Sequence, residues 1–398
     1  MSQAQARAVN NRTSTGTVAN GFEPVRNELD AYLLADPGYS AQLAIYHRGQ
    51  LVVDLRGGAE FDDDSITGVF SATKGAAALT VATMLGDGRL SLDVSVSHYW
   101  PEFAANGKSS VTIRQLLSHQ AGVVGVDGGF AVEEILDSRL AAERLAAQTP
   151  YWYPGSAFGY HGITIGVLME ELARRVDGRS LQEIYEAEIR APHDIDFYLG
   201  LPGAEDHRYR QIRPAKLTAA QAAEGERRPW GVDTLSALTL NTLGTSFDPA
   251  DSPLSTNHRA VREAGPAAVG GTGSAAGLAK LYAVGAGQFD DGFADTATLR
   301  SMAQQQSWGH DRTLDSTMSY GIIFQLPMPR MDFGSYLAFG HDGAGGALGF
   351  ADPVYELGFG YIPLPMQYPG GSNYPGGFNP RPVRLSQIAR ECATRLSR

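Results

Sequence analysis

Several residue types are scarce in this chain of 398 residues, and each scarcity excludes a class of protein. Cys392 is the only cysteine, so no internal disulfide can form, and no Cys/His cluster has the spacing of a zinc site. Lys and Arg total 32 against 43 Asp and Glu, and the net charge of −11 would repel a phosphate backbone. We therefore expect neither a structural metal nor a nucleic-acid partner.

Long apolar runs are also missing. No segment approaches the roughly 18 uninterrupted apolar residues of a membrane helix, and the N-terminus lacks the apolar core of a signal peptide. Residues 1–20 are polar and without periodicity, which predicts a disordered tail. These features favour a cytoplasmic protein that does not bind membranes.

Hydrophobic periodicity predicts strands near both ends of the chain and helices between them. Two β-prone runs, 41–46 and 50–55, form a predicted hairpin, and the run 69–87, apolar on nearly all faces, predicts a buried helix. No element boundaries are predicted between 200 and 257. The remaining predictions are helices at 22–34, 112–118, 131–147, 164–176, 181–189, 274–284 and 383–396, and strands at 320–326, 347–351 and 357–362.

This order of elements predicts an α+β protein of two domains. Residues 21–68 and 266–398 would form an α/β domain around an antiparallel sheet, and residues 69–265 an inserted, mostly helical domain. Residues 1–20 would lie outside both domains. A site between the two domains is the natural place for chemistry.

One segment could supply a nucleophile and its base. No serine is flanked as G-x-S-x-G and no H-E-x-x-H is present, but Ser71 and Lys74 lie three residues apart at the start of the predicted buried helix. That spacing places both side chains on one face, and burial would lower the pKa of the lysine enough for it to act as a base. The alternative is a helix N-cap followed by a solvated lysine.

The surroundings of Lys74 weigh against that alternative. It is one of only four lysines, and the run KGAAALTVATML offers it no acidic partner within a turn along the helix. Burying an unpaired ammonium is costly unless the group has a function.

Two further segments could complete a site. Tyr160 lies in a turn-rich stretch ahead of a predicted helix, where its phenol could relay a proton or simply be a buried core tyrosine. The Gly-rich run 339–346 allows a close backbone approach to a ligand, although a plain loop would explain it equally well. His119, at a helix end, is expected to be structural.

Taken together, these segments resemble the serine β-lactamase and penicillin-binding-protein superfamily, specifically its class C-like branch and the family VIII carboxylesterases. The resemblance rests on Ser71-x-x-Lys74, on Tyr160 and on His341-Asp342-Gly343, and it spans residues 22 to the C-terminus. It implies Ser71 as the acylated nucleophile, Lys74 and Tyr160 as base and proton shuttle, and no metal or cofactor. The backbone N–H groups of Ser71 and Ala344 would form the oxyanion hole.

Two departures from the family pattern favour an esterase. Gly162 stands where penicillin-interacting members have the asparagine of Tyr-x-Asn, and His341 replaces the lysine of Lys-Thr-Gly, which removes the fixed cation that pairs with a substrate carboxylate. We therefore expect a serine carboxylesterase acting on small, short-acyl esters. A β-lactamase or D-alanyl-D-alanine peptidase, and a non-catalytic penicillin-recognising or scaffold protein, remain alternatives. The predicted substrate-binding residues are His341, Gly343, His161 and Trp152.

Overall fold

A six-stranded antiparallel sheet organises the fold. The computed structural model describes residues 13–217, 233–242, 250–290, 292–329, 331–367 and 379–397, with positions 219 and 223. In spatial order the strands of this sheet are β1 (Thr15–Val18), β3 (Gln50–Gly57), β2 (Ser40–His47), β11 (Leu357–Leu364), β10 (Leu348–Asp352) and β9 (Phe339–Asp342). Strands from both ends of the chain therefore meet in one sheet, with β9 at one edge.

Helices cover both faces of the sheet. On one face, α1 (Glu23–Ala35) and α13 (Pro380–Leu396) bury their apolar sides against the strands. On the other face, α11 (Ala275–Gly285) packs so closely on the sheet that a Cβ at Gly360 would lie 2.2 Å from the Ala275 carbonyl oxygen. The predicted α+β fold, an antiparallel sheet flanked by helices with further helices inserted, is confirmed.

The helix predicted at 69–87 is the buried core of the helical region. It runs as α2 (Thr73–Gly86), and its residues 73–84 are all buried. The helices that accompany it are α3 (Val96–Tyr99), α4 (Ile113–Leu117), α5 (Val132–Leu136), α6 (Ser138–Ala147), α7 (Thr164–Asp177), α8 (Leu181–Tyr185), α9 (Leu235–Thr239), α10 (Arg259–Ala264) and α12 (Thr296–Met302). No helix among the described residues is both long and apolar enough to cross a membrane.

Two further sheets are small. Strands β4 (Thr67–Gly68), β6 (Thr272–Gly273) and β5 (Phe197–Tyr198) form one, and β7 (Ser307–Asp311) and β8 (Ser316–Tyr320) form a hairpin. The first sheet fixes the chain just before α2.

Two predicted elements were wrong in form. The helix predicted at 131–147 is two helices, because the Asp137 side chain accepts the Arg139 N–H and begins a new helix there. The strand predicted at 320–326 ends at Tyr320. Ile323 has a left-handed φ of +66°, and its N–H bonds to the Leu117 carbonyl of a neighbouring helix at 2.7 Å, so the tertiary contact overrides the strand pattern.

The tail prediction was wrong for residues 15–18. These residues pair with β3, from Thr15 opposite Arg56 to Val18 opposite Val53. Residues 1–12 lie outside the described residues. The predicted division into domains at 21–68 with 266–398, and 69–265, stays a prediction.

Candidate active site

The segment that carries Ser71 is a strained turn held by the small sheet. The Val69 N–H donates to the Gly271 carbonyl at 3.2 Å, and the Gly271 N–H donates to the Thr73 hydroxyl at 2.9 Å. Phe70, directly before Ser71, has a left-handed φ of +46°, which a bulky residue rarely adopts. Ser71 directly follows this strained residue, two positions before α2 begins, and is partly exposed.

Ser71 and Lys74 are in direct contact. Lys74 Nζ lies 3.0 Å from the Ser71 hydroxyl oxygen and 2.9 Å from the Ala268 carbonyl oxygen. The Lys74 side chain is fully buried, and no described carboxylate lies within 4 Å of its nitrogen. Burial holds the pKa of Lys74 well below its usual 10.5, while the charge of Asp342 acts in the opposite direction. The arrangement therefore favours a neutral amine that can accept a proton from the serine.

Tyr160 faces the same pair. Lys74 Nζ lies 4.8 Å from the centroid of the Tyr160 ring. The Tyr160 hydroxyl is buried and forms no hydrogen bond with the described residues, yet it is close enough to Ser71 for the serine to lower its pKa. Burial raises that pKa well above 10, and the charges of Asp342 and Asp311 raise it further. Tyr160 is thus held as a phenol, able to give a proton.

The end of β9 packs against the Ser71 turn. A Cβ at Gly343 would lie 2.0 Å from the Val69 carbonyl oxygen and 3.2 Å from the Ala72 nitrogen, so only glycine fits there. This contact brings the next residue, Ala344, beside the nucleophile. Within the described residues, the backbone N–H groups of Ser71 and Ala344 donate to no protein acceptor. Two free amides near one serine have the composition of an oxyanion hole.

His341 and Asp342 differ in exposure and charge. His341 is fully buried, its Nδ1 lies 2.6 Å from the Asp342 carbonyl oxygen, and burial lowers its pKa to about 3, so it is neutral. Asp342 keeps about one fifth of its side chain exposed, and burial of the remainder raises its pKa to about 6. At neutral pH the position therefore carries a negative charge. The Asp342 N–H is fixed by Gln325 Oε1 at 3.0 Å.

The structure does not support a substrate contact by His161. Its ring is fully buried, with Nδ1 2.8 Å from the Gly159 carbonyl oxygen and Nε2 accepting the Val123 N–H at 3.3 Å. Both nitrogens are used by the backbone, so this prediction is corrected to a structural role. Trp152, nearly buried, donates its ring N–H to the Gln120 carbonyl at 3.3 Å and stacks edge-on to His161. Trp152 therefore packs against His161, next to Tyr160 in the chain, and its role in substrate binding stays a prediction.

His119 is a buried support, as expected from the sequence. Its Nδ1 accepts the His161 N–H at 3.1 Å, and its ring lies 5.3 Å from the ring of Tyr160. It therefore helps fix the segment that carries the phenol.

The sequence alone assigned no role to two residues near the site, Asp342 and Asp311. Asp342 lies in the motif His341-Asp342-Gly343, but only the other two residues of that motif were predicted to bind substrate. Asp311 lies at the turn of a hairpin, and its side chain accepts the Tyr160 N–H at 2.9 Å. The two residues are 151 positions apart in the sequence. No local pattern could have found this contact. Within the described part of the chain, no group of three His, Cys, Asp or Glu side chains could hold a metal ion.

Comparison with known proteins places this arrangement in context. The sequence model of the Beta-lactamase family matches residues 31–363. The chain is 30% identical over 336 residues to the esterase/beta-lactamase LipL of Mycobacterium tuberculosis, which covers 80% of this chain and 76% of that protein.

Solved structures agree with the sequence match. EstA from Arthrobacter nitroguajacolicus Rue61a superimposes with a TM-score of 0.87 at 44% identity, over 96% of this chain and 99% of that one. A family VIII carboxylesterase superimposes with a TM-score of 0.82 at 30% identity, over 95% and 99% of the two chains. The similarity covers nearly the whole molecule.

Proposed function

The chain belongs to the beta-lactamase family, and we propose that within it the protein is a serine carboxylesterase that hydrolyses small, short-acyl esters through an acyl-enzyme on Ser71. The observation that carries the proposal is the 3.0 Å contact between Ser71 Oγ and the buried Lys74 Nζ. A serine becomes a useful nucleophile only when a base within hydrogen-bond reach can take its proton.

Acylation begins with Lys74. The neutral amine takes the Ser71 proton as Oγ attacks the ester carbonyl, and the negative charge that develops on the carbonyl oxygen is stabilised by the N–H groups of Ser71 and Ala344. When the tetrahedral intermediate collapses, the C–O bond to the alcohol breaks. Tyr160 gives its proton to the departing oxygen and regains one from the Lys74 ammonium, so the alcohol leaves neutral.

Deacylation repeats these steps with water in place of serine. Lys74 accepts a proton from water as its oxygen attacks the acyl carbon, and the bond to Ser71 Oγ breaks. The proton then returns to Ser71 along the same pair of groups, and the carboxylic acid leaves. The cycle needs no further reactant.

The charges around the site support a neutral substrate. Asp342 places a carboxylate, one fifth exposed, close enough to Lys74 to raise the pKa of its amine, and neutral His341 supplies no cation. A substrate with its own carboxylate would be repelled there. The charge pattern favours an uncharged ester over a β-lactam or a peptide that ends in a free carboxylate.

A small apolar recess beside Ala344 supports a short acyl group. Its lining includes Phe70, Ile212, Ala344 and Met366. Apolar side chains leave no hydrogen-bond partner for a peptide, and a recess this small favours the smallest acyl groups.

A panel of p-nitrophenyl esters from acetate to octanoate, run beside nitrocefin, tests this function. We expect the highest kcat/KM for acetate or butyrate and little hydrolysis of nitrocefin. Preferential nitrocefin hydrolysis would instead identify a β-lactamase, and no turnover with any substrate would favour a non-catalytic protein on this fold. Ser71→Ala is the control that separates enzymatic from contaminating hydrolysis.

A further inference from the structure

Residues of a distant hairpin turn form hydrogen bonds with both the N–H and the carbonyl group of Tyr160. Asp311, the last residue of β7, accepts the Tyr160 N–H on Oδ2 at 2.9 Å. The Thr313 hydroxyl lies 3.0 Å from the Tyr160 carbonyl oxygen and 2.8 Å from Asp311 Oδ1. The Thr239 hydroxyl donates to the same carbonyl from a third element. Both polar groups of the Tyr160 peptide are therefore fixed from outside its own loop.

Asp311 divides its two oxygens between its own turn and the site. Oδ1 accepts the N–H groups of Thr313 and Leu314, each at 2.9 Å, and these bonds shape the turn. Oδ2 reaches across to the Tyr160 N–H and to the Tyr320 hydroxyl, which lies 3.2 Å away. Every contact requires an acceptor, so an amide in place of the carboxylate would turn an N–H group toward one set of donors.

Asp311 is fully buried and has no Lys, Arg or His partner within 4 Å among the described residues. Burying a carboxylate that no cation neutralises is costly, and here only hydrogen-bond donors offset that cost. A neutral residue could have closed an ordinary hairpin turn. A carboxylate suits this position because both of its oxygens accept hydrogen bonds, one from the turn and one from the site.

The same carboxylate also fixes what packs on the Tyr160 ring. The Tyr320 ring lies nearly parallel to that of Tyr160, with centroids 6.1 Å apart and an interplanar angle of 8°. Asp311 Oδ2 accepts hydrogen bonds from both the Tyr160 N–H and the Tyr320 hydroxyl. One atom therefore holds the backbone of Tyr160 and the ring that stacks on it.

We propose that Asp311 is a positioning residue that holds the Tyr160 phenol in place for proton transfer to the leaving group. This inference rests on the proposed esterase function, in which Tyr160 protonates the departing alkoxide. Proton donation matters most when the leaving alcohol is a poor one, since p-nitrophenolate departs readily without a proton and an alkoxide does not.

The test compares two esters of one acid, p-nitrophenyl acetate and ethyl acetate, in wild type and Asp311→Asn. Both esters form the same acetyl-enzyme, so the comparison uses kcat/KM, which reports acylation alone. In Asp311→Asn we expect kcat/KM to fall about 100-fold for ethyl acetate, the scale of a lost general acid, and only a few-fold for p-nitrophenyl acetate. Tyr160→Phe should give the same pattern. The double variant should lose little more than Tyr160→Phe alone, because the two residues act through one group.

Asp352→Asn is the matched control. Asp352 is also a fully buried carboxylate that holds a turn, accepting the Ser335 N–H at 2.7 Å and the Val354 N–H at 3.1 Å, and it contacts none of the proposed catalytic residues. This variant should lose stability without separating the two esters.

Three results would overturn the role. These are equal losses of kcat/KM on both esters in Asp311→Asn, the same kinetic pattern in Asp352→Asn, or additive losses in the double variant. Should Asp311→Asn fail to fold, Tyr320→Phe removes only the hydroxyl contact and should show a weaker form of the same selectivity, whose absence would equally contradict the proposal. If wild type hydrolyses neither ester, the esterase function itself is wrong.

Discussion

The Lys74 amine lies 2.9 Å from the Ala268 carbonyl oxygen and 3.0 Å from the Ser71 hydroxyl oxygen. A neutral amine has two N–H donors and one lone pair. Donation of one N–H to Ala268 leaves the lone pair available to accept the Ser71 proton, as a base requires. The carbonyl thus holds the amine beside Ser71 without occupying its lone pair.

Replacement of Lys74 should abolish acylation even when positive charge is retained. We expect Lys74→Ala to lower kcat/KM for p-nitrophenyl acetate by about 1,000-fold, within the usual range for a lost general base. Lys74→Arg should be no better, because a guanidinium stays protonated and cannot accept the serine proton. Stopped-flow measurement of the p-nitrophenolate burst checks this. A normal burst in either variant would exclude Lys74 as the base.

A methyl group at Gly343 should damage both stability and activity. In Gly343→Ala, the new Cβ would lie 2.0 Å from the Val69 carbonyl oxygen, so the turn that carries Ser71 must shift. We expect a loss of about 1–3 kcal/mol in the free energy of unfolding, typical of overpacking, together with a fall in kcat. Gly86→Ala is the control, since its Cβ would meet side-chain atoms no closer than 3.6 Å. Equal effects of the two substitutions would contradict this account.

Acid should destabilise the protein through buried neutral histidines. Burial lowers the pKa of His161 to about 4 and of His341 to about 3, from 6.5, and holds that of His119 well below 6.5. Below pH 6.5 the unfolded chain binds protons that the folded chain refuses. Stability is therefore present above pH 6.5 and falls as the pH drops toward 4, by about 1.4 kcal/mol per histidine per pH unit.

Buried carboxyl groups act against this slope, because burial also raises the pKa values of Asp54, Glu170 and Asp311. Burial raises the pKa of Asp342 from 3.8 to about 6, so its contribution to stability is present at low pH and is lost as the pH rises through 4 to 6. Denaturant titrations between pH 7.5 and 4.5 measure the sum, and His161→Gln should remove one histidine's share. A pH dependence in His161→Gln identical to that of wild type would contradict this account of the histidines.

The charge of Asp342 should set substrate selectivity. Wild type should hydrolyse a p-nitrophenyl ester whose acyl chain ends in a sulfonate more slowly than its neutral amide analogue. Asp342→Asn should raise the kcat/KM ratio of the anionic to the neutral ester about 10-fold, a change of roughly 1.4 kcal/mol. In wild type the ratio should also rise as the pH falls below about 6, where the carboxyl gains its proton. A ratio that responds to neither change would place the carboxyl away from the acyl chain.

Local patterns predicted the parts of this molecule that local forces determine. The buried helix α2 followed from a run apolar on all faces, and the hairpin of β2 and β3 from two short β-prone runs. Ser71 and Lys74 were predicted to share a helix face, and the structure places them in contact.

Long-range contacts account for what the sequence could not predict. Ile323 leaves the strand pattern because its N–H pairs with Leu117, and Thr15–Val18 becomes a strand only because β3 offers an edge. His161 was a plausible substrate contact until the fold enclosed both of its ring nitrogens. The grip of Asp311 on Tyr160 joins two segments that nothing in either one connects.

The identity of the acylated residue tests the central claim most directly. Wild type mixed with p-nitrophenyl acetate and quenched in acid within the burst should show the added mass of one acetyl group, and peptide mapping should place it on Ser71. Ser71→Ala should show neither the adduct nor turnover. An acetyl group on another residue, or continued turnover by the alanine variant, would contradict the account.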